Sequence, residues 1–166
     1  MGQPLGFVRE GLDGLELSAD GSVLYYSPLT SDYIYSVETK YLRVDPSTDA
    51  LAQKYAFNNV LNLGQRGGNA NGFAGDSLGN VYQLMPESNA IYRLNTTTTL
   101  TERYVRDPRI IWCDSANVGF DGYLYFNINQ LPYQPLWNNG TDLRVHPGLI
   151  LRVKLPDGAS KNLALM

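Results

Sequence analysis

The sequence predicts an all-β protein assembled from small antiparallel sheets. Three observations carry that expectation: strand-like alternation of apolar and polar residues, glycines at turn positions, and one strand–turn–strand pattern that recurs along the chain. Hydrophobic residues make up 43% of the chain and charged ones only 17%, with Gly (16) and Tyr (12) abundant, which suits turn-rich aromatic sheets better than a helical bundle. No window keeps helical spacing for long, and no apolar run approaches a membrane span. The 166 residues suffice for one domain with a core. A net charge of −3 without a Lys/Arg stripe argues against nucleic acid or an anionic membrane as partner.

The elements follow in order. "DGLELSADG" (13–21), "NGFAGDSLG" (71–79) and "DSANVGFDG" (114–122) align without a gap, each starting on Asp or Asn and ending on a turn glycine. An aromatic-rich strand follows each: "SVLYYSPL", "NVYQLMPE" and "YLYFNINQ". A third strand follows in turn, "YIYSV" (33–37), "AIYRL" (90–94) and "LILRV" (149–153). Connections such as "AQKYAFNNVLNLG" can supply a further strand, and the third repeat carries a long insertion, "LPYQPLWNNGTDLRVHPG". Sheets of this size repeated every ~40–60 residues read as propeller blades. The alternative is a β-sandwich with coincidental D-G turns.

The expected blades cover about 11–60, 61–105 and 106–154, with 155–166 a C-terminal tail or the start of a closing strand. A propeller has about four to eight blades, and three cannot close a ring without leaving sheet faces open. The chain therefore reads as half of a ring: a fragment, one of two complementary chains, or one of two copies.

Three stretches carry a resemblance. They are "GLDGLELSADGSVLYYSPLTSDYIYSVETKYLR", "LGQRGGNANGFAGDSLGNVYQLMPESNAIYRLN" and "VRDPRIIWCDSANVGFDGYLYFNINQL" with the later "NNGTDLRV". Together they resemble the yellow and major royal jelly protein family from Gly11 to about Lys154. The resemblance implies a six-bladed β-propeller of which this is the C-terminal half, secreted in most relatives and often glycosylated. One departure is Cys113, where family members usually have Pro in a "WPD" loop; it alters the loop or leaves a reactive thiol.

Inner strands of a propeller line its channel, so the equivalent positions Asp13, Asn71 and Asp114 are expected at one mouth. They read as turn caps, as a polar rim that contacts a ligand, or as oxygen ligands for Ca²⁺. The family is not generally regarded as metal-dependent, and the expectation is no cofactor. Trp112 is expected at the same mouth, and the polar run of Asn127, Asn129 and Gln130 leads into the insertion, which adds Tyr133, Trp137 and His146. Tyr25, Tyr26, Tyr82, Tyr123, Tyr125 and Phe126 are expected mostly between blades. Cys113, the single cysteine, reads as a small buried hydrophobe, and His146, the single histidine, as a surface residue before Pro147.

Two sequons, at Asn95 and Asn139, mark surface loops in a secreted chain and are chance matches in a cytosolic one. "MGQPLGFVREG" lacks the basic start and apolar core of a signal peptide, so a secretory route requires a longer translated product. No G-x-S-x-G, H-E-x-x-H or phosphate-cradling loop is present. The first functional expectation is an enzyme of secondary metabolism that positions a small molecule, for cycloaddition (such as hetero-Diels–Alder), as the resemblance implies for fungal and microbial relatives, or for isomerisation, as it implies for insect ones. The second is a non-catalytic binding protein for small aromatic or amine ligands. The third is a Ca²⁺-dependent lactonase.

Overall fold

The computed structural model describes residues 11–162. Two four-stranded sheets and one three-stranded sheet, all antiparallel, hold most of them. The first contains β1 (Leu12–Leu17), β2 (Val23–Pro28), β3 (Tyr33–Glu38) and β4 (Leu61–Gln65). The second contains β5 (Phe73–Gly75), β6 (Asn80–Met85), β7 (Ala90–Asn95) and β8 (Thr101–Arg106). The third contains β9 (Cys113–Val118), β10 (Tyr123–Ile128) and β11 (Leu149–Lys154). Strands neighbour one another in chain order within every sheet, which is the meander of a propeller blade.

The repeated turn has a common cause. Gly21, Gly79 and Gly122 all adopt positive φ (72°, 80° and 75°), which an L side chain resists. A carboxylate near each turn gathers neighbouring donors. Asp20 accepts from the Ser18 and Ser22 hydroxyls. Asp76 accepts from the Leu78 and Asn80 N–H groups and, at 2.8 Å, from the Tyr82 hydroxyl. Asp121 takes the Tyr125 hydroxyl at 2.6 Å.

The segment "AQKYAFNNVLNLG" divides: α2 (Ala52–Asn58) follows the short α1 (Thr39–Leu42), and only its end enters β4. Four apolar or aromatic residues, Ala52, Tyr55, Ala56 and Phe57, make too short a run to signal a helix by periodicity. Ala52 alone is buried there, while Phe57 is 80% exposed.

Sheet two is the centre of the molecule, and every residue of β6 is buried. Its odd-numbered side chains meet sheet one, where Val81 and Met85 join Tyr25, Ile34, Phe73 and Leu94. Its even-numbered ones meet sheet three, where Tyr82 and Leu84 join Ile91, Leu124, Phe126 and Ile128. Of the expected interblade aromatics, Tyr25, Tyr82 and Phe126 are buried and Tyr26, Tyr123 and Tyr125 half-buried.

After β11 the described residues add no fourth strand to sheet three. The chain crosses beneath the sheets as a strap: Leu155 N donates to Gly122 O, Ser77 N to Ser160 O, and Lys161 bridges Asp76. Asn162 Nδ2 then donates to Leu17 O at 2.9 Å. Leu155 and Ala159 bury themselves under the seam between sheets two and three, so one segment ties all three sheets. Of the expected tail, residues 155–162 form this strap; 163–166 lie outside the described residues, as does the stretch before Gly11.

Candidate functional site at the blade mouth

The starts of the inner strands β1, β5 and β9 define one mouth, and β9 with its neighbouring loop supplies its most developed part. Trp112 precedes β9 with φ of 55°. Pairing continues past the strand, since Asn129 N donates to Trp112 O and Gln130 N to Ile111 O, both at 3.2 Å. A bulge interrupts the β9–β10 ladder between Phe126 and Ile128. Asn127 answers it: its Oδ1 accepts the N–H groups of Asp114 and Ser115, donors the bulge would otherwise leave over.

The insertion is a compact hydrogen-bonded unit. Asn129 Oδ1 accepts Leu131 N and opens a short 3₁₀ turn. The Gln130 amide copies a strand partner, with Nε2 donating to Val145 O and Oε1 accepting Val145 N, each at 2.9 Å. Asn138 Nδ2 donates to the Pro132 and Gln134 carbonyls, and Leu143 N donates to Tyr133 O. Trp137, 56% exposed, lines an open apolar cleft of about 280 Å³ together with Leu131, Pro132 and Trp112. Trp112 and Trp137, 25 residues apart in sequence (137 − 112), are thus brought together. Tyr133 and His146 are exposed on the same insertion, outside the residues that line the cleft.

The three rim positions have separate structural engagements. Asn71 is 1% exposed; its Nδ2 donates to Cys113 O at 2.6 Å, and Gly72 N reaches Asp114 O, which stitches the second inner strand to the third. Asp114 is half-buried beside Asn127, whereas Asp13 is exposed on β1 and interacts electrostatically with Arg66. Among the described residues no group of three His, Cys, Asp or Glu side chains is placed to hold a metal.

Cys113 is fully buried, and burial pushes its thiol up to about 12, so the reactive-thiol alternative loses its chemical basis. The two sequons differ: Asn95 is half-buried with Oδ1 accepting the Thr97 and Thr98 N–H groups, while Asn139 lies exposed at the insertion tip.

Sequence reasoning missed the buried polar residues Arg66, Gln83 and Glu16. Arg66, 2% exposed, donates from Nε to Gly68 O and from Nη2 to Ser31 O, and stands 5.9 Å from the Phe73 ring centroid. Burial pulls its pKa down to about 10 against the pull of Asp32 and Asp13. Gln83 lies within a strand-forming stretch, and Glu16 alternates with leucines along β1. Leu15 is 48% exposed and Glu16 only 7%, because it is the Glu16 face of β1 that meets sheet two.

Three meandering sheets with inner strands stitched side by side and a ligand-sized cleft at one mouth define a β-propeller-type protein. A luciferin-regenerating enzyme is similar at 19% identity and a TM-score of 0.60 (91% of this chain, 47% of that one). So are a calcium-binding regucalcin from Agrobacterium tumefaciens, at 14% and 0.59 (92% and 47%), and a gluconolactonase from Xanthomonas campestris, at 16% and 0.57 (92% and 47%). The chain spans about half the length of these structures, and identities this low speak for the fold alone. No curated protein matches the sequence. The major royal jelly protein family model matches residues 7–107, and the chain belongs to that family.

Proposed function

We propose that the mouth cleft binds a small, flat, largely apolar molecule and that the protein acts on it by positioning, through cycloaddition such as a hetero-Diels–Alder closure or through isomerisation in secondary metabolism. The observation that carries this reading is that Trp112 and Trp137 line one cleft with Leu131 and Pro132, a lining without a titratable group. Two indoles stack on flat guests, and a pericyclic step needs orientation and shape more than acid–base groups. The same lining favours a second reading, a non-catalytic binder of small aromatic or amine ligands. A Ca²⁺-dependent lactonase has less support, because the Asn71 amide is engaged with Cys113 O and no group of three His, Cys, Asp or Glu side chains among the described residues is placed to hold a metal.

The partner that fits is a further half-ring, from a second chain, a second copy or the remainder of a longer polypeptide. Leu12 (53%), Leu15 (48%) and Ile150 (75%) are exposed on the outer sheets, and propellers bury such faces against neighbouring blades. Secretion, with glycosylation at Asn95 and Asn139, is the accompanying expectation; no helix of the described residues is long and apolar enough to cross a membrane.

Amide NMR of the ¹⁵N-labelled protein titrated with indole tests the cleft. Trp112→Ala and Trp137→Ala should each weaken binding about tenfold, the loss of one stacking contact. Saturable binding that neither substitution alters would remove the cleft from consideration. Product formed from a bound diene separates enzyme from binder, and native mass spectrometry reports whether a second half-ring is bound.

A further inference from the structure

At the opposite end of the inner strands lies a cavity of about 240 Å³ with different walls. β1, β5 and β9 bound it on three sides, and Lys161 and Asn162 of the strap close it. Each of these strands is the end member of its sheet, so each brings a backbone edge not paired within that sheet. Glu16 stands in the wall, 7% exposed, with Oε1 accepting Leu17 N at 2.9 Å.

Room for that carboxyl depends on one residue. A Cβ at Gly75 would lie 2.8 Å from Glu16 Cγ and 2.9 Å from Cδ, a contact that real side chains do not make. The glycine of β5 therefore admits a buried carboxyl into the cavity wall, in a strand whose leucines had the stronger hydrophobic claim. Lys161 contributes the opposite charge, its ammonium 5.5 Å from the Phe120 ring centroid. Asn117 adds an exposed amide from β9.

These walls select a guest. The charges of Glu16 and Lys161 are opposite, so the cavity calls for no net charge. An apolar guest would strip water from strand edges and amides without replacing its hydrogen bonds. The volume lies below the ~300 Å³ at which drug-sized pockets begin. We infer that this cavity is a second binding site, taking a small neutral polyhydroxylated molecule whose hydroxyls donate to Glu16 and accept from Lys161 and Asn117. It is separate from the mouth cleft and does not rest on the function proposed for it.

Amide NMR of the ¹⁵N-labelled protein titrated with myo-inositol, with cyclohexanol and choline as controls, tests it. Shifts at Gly75, Asn117 and Lys161 are expected with myo-inositol and not with the controls. Glu16→Gln should weaken binding about tenfold, since a hydrogen bond to a charged group is lost. Asn117→Ala, at an exposed position, provides a folded variant with a smaller loss if Glu16→Gln fails to fold. No shifts, shifts confined elsewhere, stronger binding of either control, or full affinity in both variants would each overturn the inference. Indole binding at the mouth cleft, read from amide shifts around Trp112, should be unchanged by Glu16→Gln, which keeps the two sites distinguishable.

Discussion

The two seams of the molecule treat their buried polar groups differently. Between sheets two and three a large apolar cluster runs from Leu84 and Ile91 to Leu124, Phe126 and Ile128, and the buried polar groups beside it are paired: Asn71 Nδ2 with Cys113 O, and Asn80 Nδ2 and the Tyr82 hydroxyl with Asp76. Between sheets one and two the apolar cluster is smaller, and buried polar groups stand in or beside it: Glu16, Ser27, Ser36, Arg66 and Gln83. Arg66 Nη1 and both polar atoms of the Gln83 amide have no hydrogen-bond partner among the described residues. An unsatisfied buried polar group costs about 1–3 kcal/mol, so the first seam gives up part of what its burial gains. The difference teaches that repeats equivalent in sequence pattern need not contribute equally to stability. Sheets two and three are expected to form the more stable unit, and sheet one to part first.

The largest effect should come from the apolar seam. Leu84→Ala, at a fully buried site, should cost about 2–5 kcal/mol in chemical denaturation, because the deleted methyls leave a cavity between two sheets. A loss below about 1 kcal/mol would mean the seam can collapse around the gap, and the contrast between seams would fail.

Gln83→Leu should act in the opposite direction, raising stability by about 1 kcal/mol, because a side chain of similar size then replaces two unsatisfied polar atoms. Destabilisation by this substitution would show that the amide is satisfied in solution, and that the first seam is weaker for another reason.

A pH series sharpens the comparison further. Burial raises the Glu16 carboxyl above its ordinary value of 4.5, against the lowering effect of the Leu17 and Gly75 backbone hydrogen bonds. The folded state then holds that proton more tightly than the unfolded chain. Its contribution is fully present below the ordinary carboxylate pKa and is lost as pH rises through the raised folded value. Glu16→Gln should remove that decline, measured as denaturation midpoints across the series; an identical slope in both proteins would place the titrating group elsewhere.

The smallest effect is a rate. Cys113, sealed in the apolar seam, should resist iodoacetamide in the native protein and react only on unfolding, so its labelling reports when sheets two and three separate. Hydrogen exchange at β2 and β3 should outpace labelling of Cys113; the reverse order would make sheet one the stable member.

Much of the fold follows from local rules. Turn glycines, strand alternation and the recurring Asp or Asn are properties of neighbouring residues, so three sheets, their order and the insertion between β10 and β11 are legible in the chain. Trp112 and Trp137 were legible as candidates because large aromatics in a loop region have few local reasons to be there. The α2 helix was not, since a seven-residue helix carries too few periodic positions.

What only the tertiary structure decided is which face of each strand meets another sheet. Alternation marks two faces without saying which is covered, so Leu15 took the open side of β1 and Glu16 the covered one. The same holds for Asn71, whose amide binds a carbonyl 42 residues away, and for the strap that ends on Leu17 O. Short-range stereochemistry fixes strands and turns; burial and long-range hydrogen bonds depend on partners that no local pattern names.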